Sequence, residues 1–158
     1  MIKAAFFDMD GTISVPRYMI NGKLKPCMTN KEWEDYNATY KEEGYKDCKP
    51  IKAVIDYAYR LKGEGARVVL ISCVFSKPEI LGKEVFLEKH CKDLFDEIHF
   101  VGSDSEKLPI MESFALKEGF DYSECELVED TFKNIVAPTN KGFGTKHVTN
   151  VLDEMGVI

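Results

Sequence analysis

The chain has 158 residues, 44% hydrophobic and 30% charged, the make-up of an ordinary soluble globular protein long enough to bury one core. Its net charge of -6 disfavours nucleic acid as a partner, and no apolar run reaches transmembrane length, so no membrane partner is expected. Five scattered cysteines without CxxC pairing argue against structural zinc or a disulfide framework; with a start that lacks a secretory signal, they lead to an expected cytoplasmic location.

The first beta-rich run covers residues 2–7 and ends in Asp8-Met9-Asp10-Gly11-Thr12. Ligands of open parallel sheets bind beyond the carboxyl ends of the strands. Two carboxylates placed there resist joint ionisation unless a cation joins them, and magnesium is a hard divalent ion suited to that pair. Gly11 permits the sharp turn that follows. A plain Asp-x-Asp-Gly turn is the structural alternative.

Residues 14–49 break the strand–helix alternation of the rest of the chain. Asn21-Gly22, between "RYMI" and "KLK", predicts a hairpin with a type I′ turn. Thr29 or Asn30 caps a helix that carries Trp33, Tyr36 and Tyr40 on one face, and Gly44 ends it. Aromatic residues at this spacing predict packing of that helix onto the sheet, and Arg17, Lys23 and Lys25 read as solvated charges on the flap.

Helix-like segments at 50–63, 77–92, 109–118 and 131–137 then alternate with strand-like runs at 67–72, 96–101, 125–129 and 145–149. The alternation predicts the α/β class: a Rossmann-like open parallel sheet with helices on both faces, plus a hairpin flap and a small helical insertion after the first strand. "RVVLIS" is apolar enough for a strand covered on both sides. It ends at Ser72, a hydroxyl able to hydrogen-bond a phosphoryl oxygen. Lys107 precedes the helix "LPIMESFALKEG", where an ammonium can neutralise phosphate charge. "CELVED" ends in Glu129 and Asp130, further oxygen ligands for a cation. Each has a structural alternative: a turn serine, a solvated lysine, a helix-capping acidic pair. Their recurrence at successive strand and helix ends favours phosphate chemistry. His90, His99 and His147 are isolated and expected at the surface or at strand edges.

Taken in order, "FFDMDGTI", "VVLIS", Lys107 with "KLPIMESFALKEGF", and "CELVEDTFKN" resemble the four motifs of the haloacid dehalogenase (HAD) superfamily of aspartate-nucleophile phosphohydrolases. The resemblance runs from residue 1 to about 143, excepting 14–49, and is to the short-cap type. It implies one HAD-like hydrolase domain over 1–158, with a flap or cap insertion at about 14–49. It implies Asp8 as the nucleophile and Asp10 as the general acid–base group, with Ser72 and Lys107 holding the phosphoryl group. Magnesium would lie on the Asp8 carboxylate, the Asp10 backbone carbonyl and Asp130, with Glu129 and Asn134 orienting its waters. The acid at position 10 favours phosphoester chemistry over dehalogenation or ATP-driven transport. The implied activity is magnesium-dependent hydrolysis of a small phosphomonoester. A phosphatase acting on nucleotides or nucleic-acid ends, and a non-catalytic phosphate- or metal-binding regulatory protein, are the alternatives. Cys73 stands where relatives often carry Gly or Asn and is expected to be a buried, inert thiol. Pro138 is expected to shorten or kink its helix.

Overall fold

The structure is a computed structural model describing residues 1–158. The chain opens with β1 (Ala4–Phe7) and then leaves the sheet through β2 (Ser14–Val15), the hairpin of β3 (Met19–Ile20) and β4 (Lys23–Leu24), helix α1 (Asn30–Tyr40) and β5 (Lys49–Pro50). It continues with α2 (Lys52–Gly63), β6 (Arg67–Cys73), α3 (Lys77–His90), β7 (Glu97–Val101) and α4 (Lys107–Glu118). β8 (Cys125–Glu129), α5 (Phe132–Lys141), β9 (Gly144–His147) and α6 (Val148–Glu154) complete it. No helix is long and apolar enough to cross a membrane.

Five strands form a parallel sheet in the order β7-β6-β1-β8-β9. The alternation of a strand splits the core in two. Ala5 and Phe7 face α2, α3 and α6, where Val54, Phe86 and Val151 are buried. Ala4 and Phe6 face α4, through Met111 and Phe114. Because all four β1 side chains are 0% exposed, this strand sits at the middle of the sheet, with β6 and β8 on either side. From β1 the chain passes to β6 and β7 on one side and then to β8 and β9 on the other, so the strand order switches at β1, and such sheets bind ligands beyond the carboxyl ends of the strands at that point.

The excursion holds the expected hairpin: Asn21 and Gly22 both have positive φ, 51° and 72°, as a type I′ turn requires. Thr29 caps α1 and shares a capping box with Glu32. Three details depart from expectation here. The helix ends at Lys41, with φ 48°, and not at Gly44, which follows a short 3-10 turn. Its aromatic face packs on Tyr18, Tyr45 and α3 instead of on the sheet. β2 and β5 pair antiparallel, so the excursion leaves and returns at adjacent points.

Two further expectations change near the C-terminus. α5 runs on to Lys141, because Pro138 falls near its end and the helix stops at Gly142, whose left-handed φ of 97° suits glycine. The last strand is Gly144–His147, and residues 148–154 form a helix that the β-branched Val148, Thr149 and Val151 conceal.

Candidate active site

Leaving β1, the Asp8 amide donates to the Val128 carbonyl at 3.1 Å, so the sheet still holds the backbone where the first carboxylate emerges. The Met9 carbonyl then accepts from the amides of Thr12, Ile13 and Ser14 at 3.1, 2.8 and 3.0 Å, closing a tight turn. Gly11 is required there twice over. Its φ is 82°, and a Cβ at this position would collide with the Asp130 carboxylate. The glycine therefore lets the end of β8 approach the end of β1.

Lys107 is the first residue of α4 rather than its predecessor, and it is buried. Its ammonium donates to Asp8 Oδ1 and Glu129 Oε2, both at 2.8 Å, with Asp104 Oδ1 at 3.3 Å. Carboxylate oxygens of Asp8, Glu129 and Asp130 lie within 4.8 Å of one another. Burial pushes Asp8 up to about 7; Lys107 opposes the shift, and Glu129 and Asp10 add to it. Burial likewise raises Glu129 and Asp130. One ammonium thus faces three clustered acids whose negative charge it only partly balances. Oxygen donors with surplus negative charge are what a hard divalent cation requires, and this donor set fits one.

Two neighbours fix the acidic end of β8. The Thr131 amide donates to Glu129 Oε1 at 3.2 Å. His147 Nδ1 accepts from the Thr149 amide at 3.2 Å, which leaves hydrogen on Nε2 to donate to the Asp130 carbonyl at 2.8 Å. His147 is therefore a brace at the strand end, where the sequence marked only an isolated histidine.

Asp10 points into a different set of groups. Tyr18 and Tyr45 donate to its Oδ1 at 3.1 and 2.9 Å, and Lys83 Nζ lies 2.8 Å from Oδ2. Burial, with the adjacent Asp10 charge, holds both phenols well above their ordinary pKa, so they remain donors. Lys83 is 0% exposed and also donates to Ser72 Oγ at 2.8 Å and the Cys73 carbonyl at 2.7 Å, with Glu79 Oε1 at 3.2 Å. Burial disfavours its charge, but Asp10 and Glu79 outweigh that and raise its pKa. Ser72 is itself fully buried; accepting from Lys83 leaves its own hydrogen to donate.

The structure thus gathers Asp8, Lys107, Glu129 and Asp130 at one point, and Asp10 with Ser72 around Lys83 beside it. Asn134 stays outside both sets: it is half-buried in α5, and its side chain makes no hydrogen bond to any of these groups. Cys73 is half-buried instead of enclosed, lines the cleft, and has its thiol pKa raised by burial. Lys83, Tyr18 and Tyr45 escaped the sequence reading. One signal for Lys83 existed, because Glu79 and Lys83 recur at the same three- and four-residue spacing as Phe86 and Leu87, a charged pair on a buried helix face.

Beside Asp10 and Asp130 opens a cleft of about 430 Å³, walled by the flap, by Asn30 and Trp33 of α1, and by Phe75 after β6.

No family model matches this chain, and no curated protein matches it in sequence. Solved structures do resemble it. A haloacid dehalogenase-like family hydrolase of Streptococcus pneumoniae is 16% identical with a TM-score of 0.61, over 91% of this chain and 83% of that one. The CbbY protein of Rhodobacter sphaeroides, in complex with phosphate, is 14% identical with a TM-score of 0.59, over 93% and 86%. A HAD family enzyme of Bacteroides thetaiotaomicron, in complex with magnesium and inorganic phosphate, is 12% identical with a TM-score of 0.57, over 93% and 94%. At TM-scores of 0.57 to 0.61 over 91–93% of this chain, the overall path agrees with these neighbours: the chain has the haloacid dehalogenase fold.

Proposed function

We propose that the chain is a magnesium-dependent phosphatase of the HAD superfamily that hydrolyses a phosphomonoester through an aspartyl-phosphate on Asp8, with residues 14–49 as a small cap on one domain. The observation that carries this reading is the meeting of Asp8, Lys107, Glu129 and Asp130 at one point, with Asp10 close by on the cleft. The four motifs in order, and fold neighbours that hold magnesium and phosphate, support it.

In the first step a carboxylate oxygen of Asp8 attacks phosphorus, and the bond from phosphorus to the leaving oxygen breaks with its electron pair on that oxygen. Asp10 in its acid form gives that oxygen a proton. In the second step Asp10 as carboxylate takes a proton from water, whose oxygen attacks phosphorus and displaces Asp8. Inorganic phosphate leaves, and Asp10 has regained its proton. Lys107 neutralises the transferring group and Ser72 donates to it. Asp8, Asp130 and the Asp10 carbonyl would hold magnesium, which when bound screens the phosphoryl oxygens from the Asp8 carboxylate. Glu129 keeps Lys107 in place. Lys83, Tyr18 and Tyr45 position Asp10.

Phosphate release measured over sugar phosphates, nucleotides and oligonucleotide ends, with and without magnesium, tests the reading. We expect magnesium-dependent release that Asp8→Asn lowers by about a thousandfold or more, as loss of the covalent route requires. Full activity in Asp8→Asn would show that the nucleophile lies elsewhere.

A further inference from the structure

Resting on the phosphatase reading above, we infer that the substrate is the phosphate ester of an uncharged or cationic alcohol bearing an apolar ring, and that esters with a second anionic group are discriminated against. The phosphoryl group belongs at Asp8 and Lys107. The leaving oxygen must lie toward Asp10, which protonates it, so the rest of the alcohol extends into the cleft that Asp10 lines. Its volume of about 430 Å³ has room for a ring and a short chain.

The walls of that cleft decide what it accepts. Pro16, Tyr18, Met28, Trp33 and Phe75 supply an apolar and aromatic lining. Phe75 is 67% exposed, a ring face with little else to cover it. The charged lining is wholly acidic: Asp10, Glu79, Asp104 and Asp130, with no lysine, arginine or histidine among the lining residues. The two nearest ammonium groups are already engaged, Lys83 by Asp10 and Glu79, and Lys107 by Asp8, Glu129 and Asp104. Nor do the flap cations serve this cleft. Lys25 pairs with Glu32 at 3.0 Å, and Arg17 lines a separate hollow with Lys46, Lys89 and His90.

Asp8, Asp10, Glu79, Asp104, Glu129 and Asp130 together outnumber the charges of Lys83, Lys107 and one magnesium, so a carboxylate or second phosphate on the alcohol would meet surplus negative charge and no unpaired cation. A neutral ring would cover Trp33 and Phe75 with no such penalty, and an ammonium would find partners.

Three benzyl phosphates that carry hydrogen, a carboxylate or an aminomethyl group at the para position test this, since their leaving alcohols differ little in acidity. For wild-type protein with magnesium, kcat/KM should be at least about tenfold lower for the carboxylate than for the other two, the size of one unscreened like-charge contact. Benzyl phosphate should also exceed methyl phosphate through a lower KM, and Trp33→Ala should narrow that gap. Asn30→Lys, an exposed substitution at the cleft rim, should raise kcat/KM for the carboxylate relative to benzyl phosphate. Equal or better turnover of the carboxylate would overturn the charge inference while leaving the phosphatase intact, and equal KM for methyl and benzyl phosphate would overturn the ring. No hydrolysis of any ester, with Asp8→Asn indistinguishable from wild type, would overturn the phosphatase reading and this inference with it.

Discussion

Lys83 carries more of the site than any other residue outside the four motifs. Its three hydrogens reach Asp10, Ser72 and the Cys73 carbonyl, so one ammonium ties the carboxylate proposed as the acid–base group to the end of β6. Lys83→Met should leave Asp10 free to swing on its two tyrosine bonds. Turnover of alkyl phosphates, which need a proton on the leaving oxygen, should fall by about a hundredfold to ten-thousandfold, the range general acid catalysis supplies. Hydrolysis of p-nitrophenyl phosphate, whose leaving group needs no proton, should fall far less; equal losses on both would show a merely structural lysine. Gly11 makes the opposite kind of contribution, by having no side chain. Gly11→Ala should cost about 1–2 kcal/mol for a side chain at positive φ. It should weaken magnesium binding as well, because its methyl group displaces the Asp130 carboxylate. A magnesium titration of the variant followed by calorimetry or fluorescence separates the two effects.

Among the elements, α3 matters for what it brings to Asp10. Ser76 caps it, its buried face holds Glu79 and Lys83, and Gly82 lets the 41–45 segment close on it. A Cβ at Gly82 would meet the Lys41 carbonyl at 2.9 Å and the Tyr45 ring at 3.0 Å. Gly82→Val should thus destabilise the fold by about 1–3 kcal/mol through overpacking, read from urea unfolding, and lower kcat as Tyr45 is pushed off Asp10. The apolar run of β1 and the hydroxyl, ammonium and acidic ends of later elements were legible in the sequence, because local pattern fixes a strand and its end. So were the type I′ hairpin and the Thr29 cap. The Lys83–Asp10 pair was not, since its partners lie 73 residues apart on a helix and a strand end, a distance only tertiary packing closes. α6 was missed for a related reason: its cap is a histidine side chain, His147, and its residues favour strands.

For the molecule as a whole, the acidic cluster makes stability depend on pH and on cation together. Asp8, Glu129 and Asp130 all have pKa values raised by burial, Asp8 to about 7. Between an ordinary carboxyl pKa of about 4 and that value, the folded state holds protons the unfolded chain has released. More protons on the folded side make stability fall as pH rises through this window. Without magnesium, the melting temperature should therefore decline from pH 5 to pH 7.5, and Asp8→Asn should flatten the slope. Magnesium needs these carboxylates ionised, so it should stabilise more at pH 8 than at pH 5; where its concentration is a hundred times its dissociation constant, the stabilisation is about 2.7 kcal/mol. Equal stabilisation at both pH values would place the ion elsewhere.

Because the paired ends of β2 and β5 bring the excursion back to where it left, another segment could replace it without rethreading the sheet. Yet Tyr18 and Tyr45 lie inside it, and they are two of the three groups that steady Asp10. On the proposed mechanism, exchanging this piece would remove part of the proton-transfer apparatus along with the recognition wall. Selectivity and turnover would then be inherited together, and a transplanted cap would have to bring its own phenols.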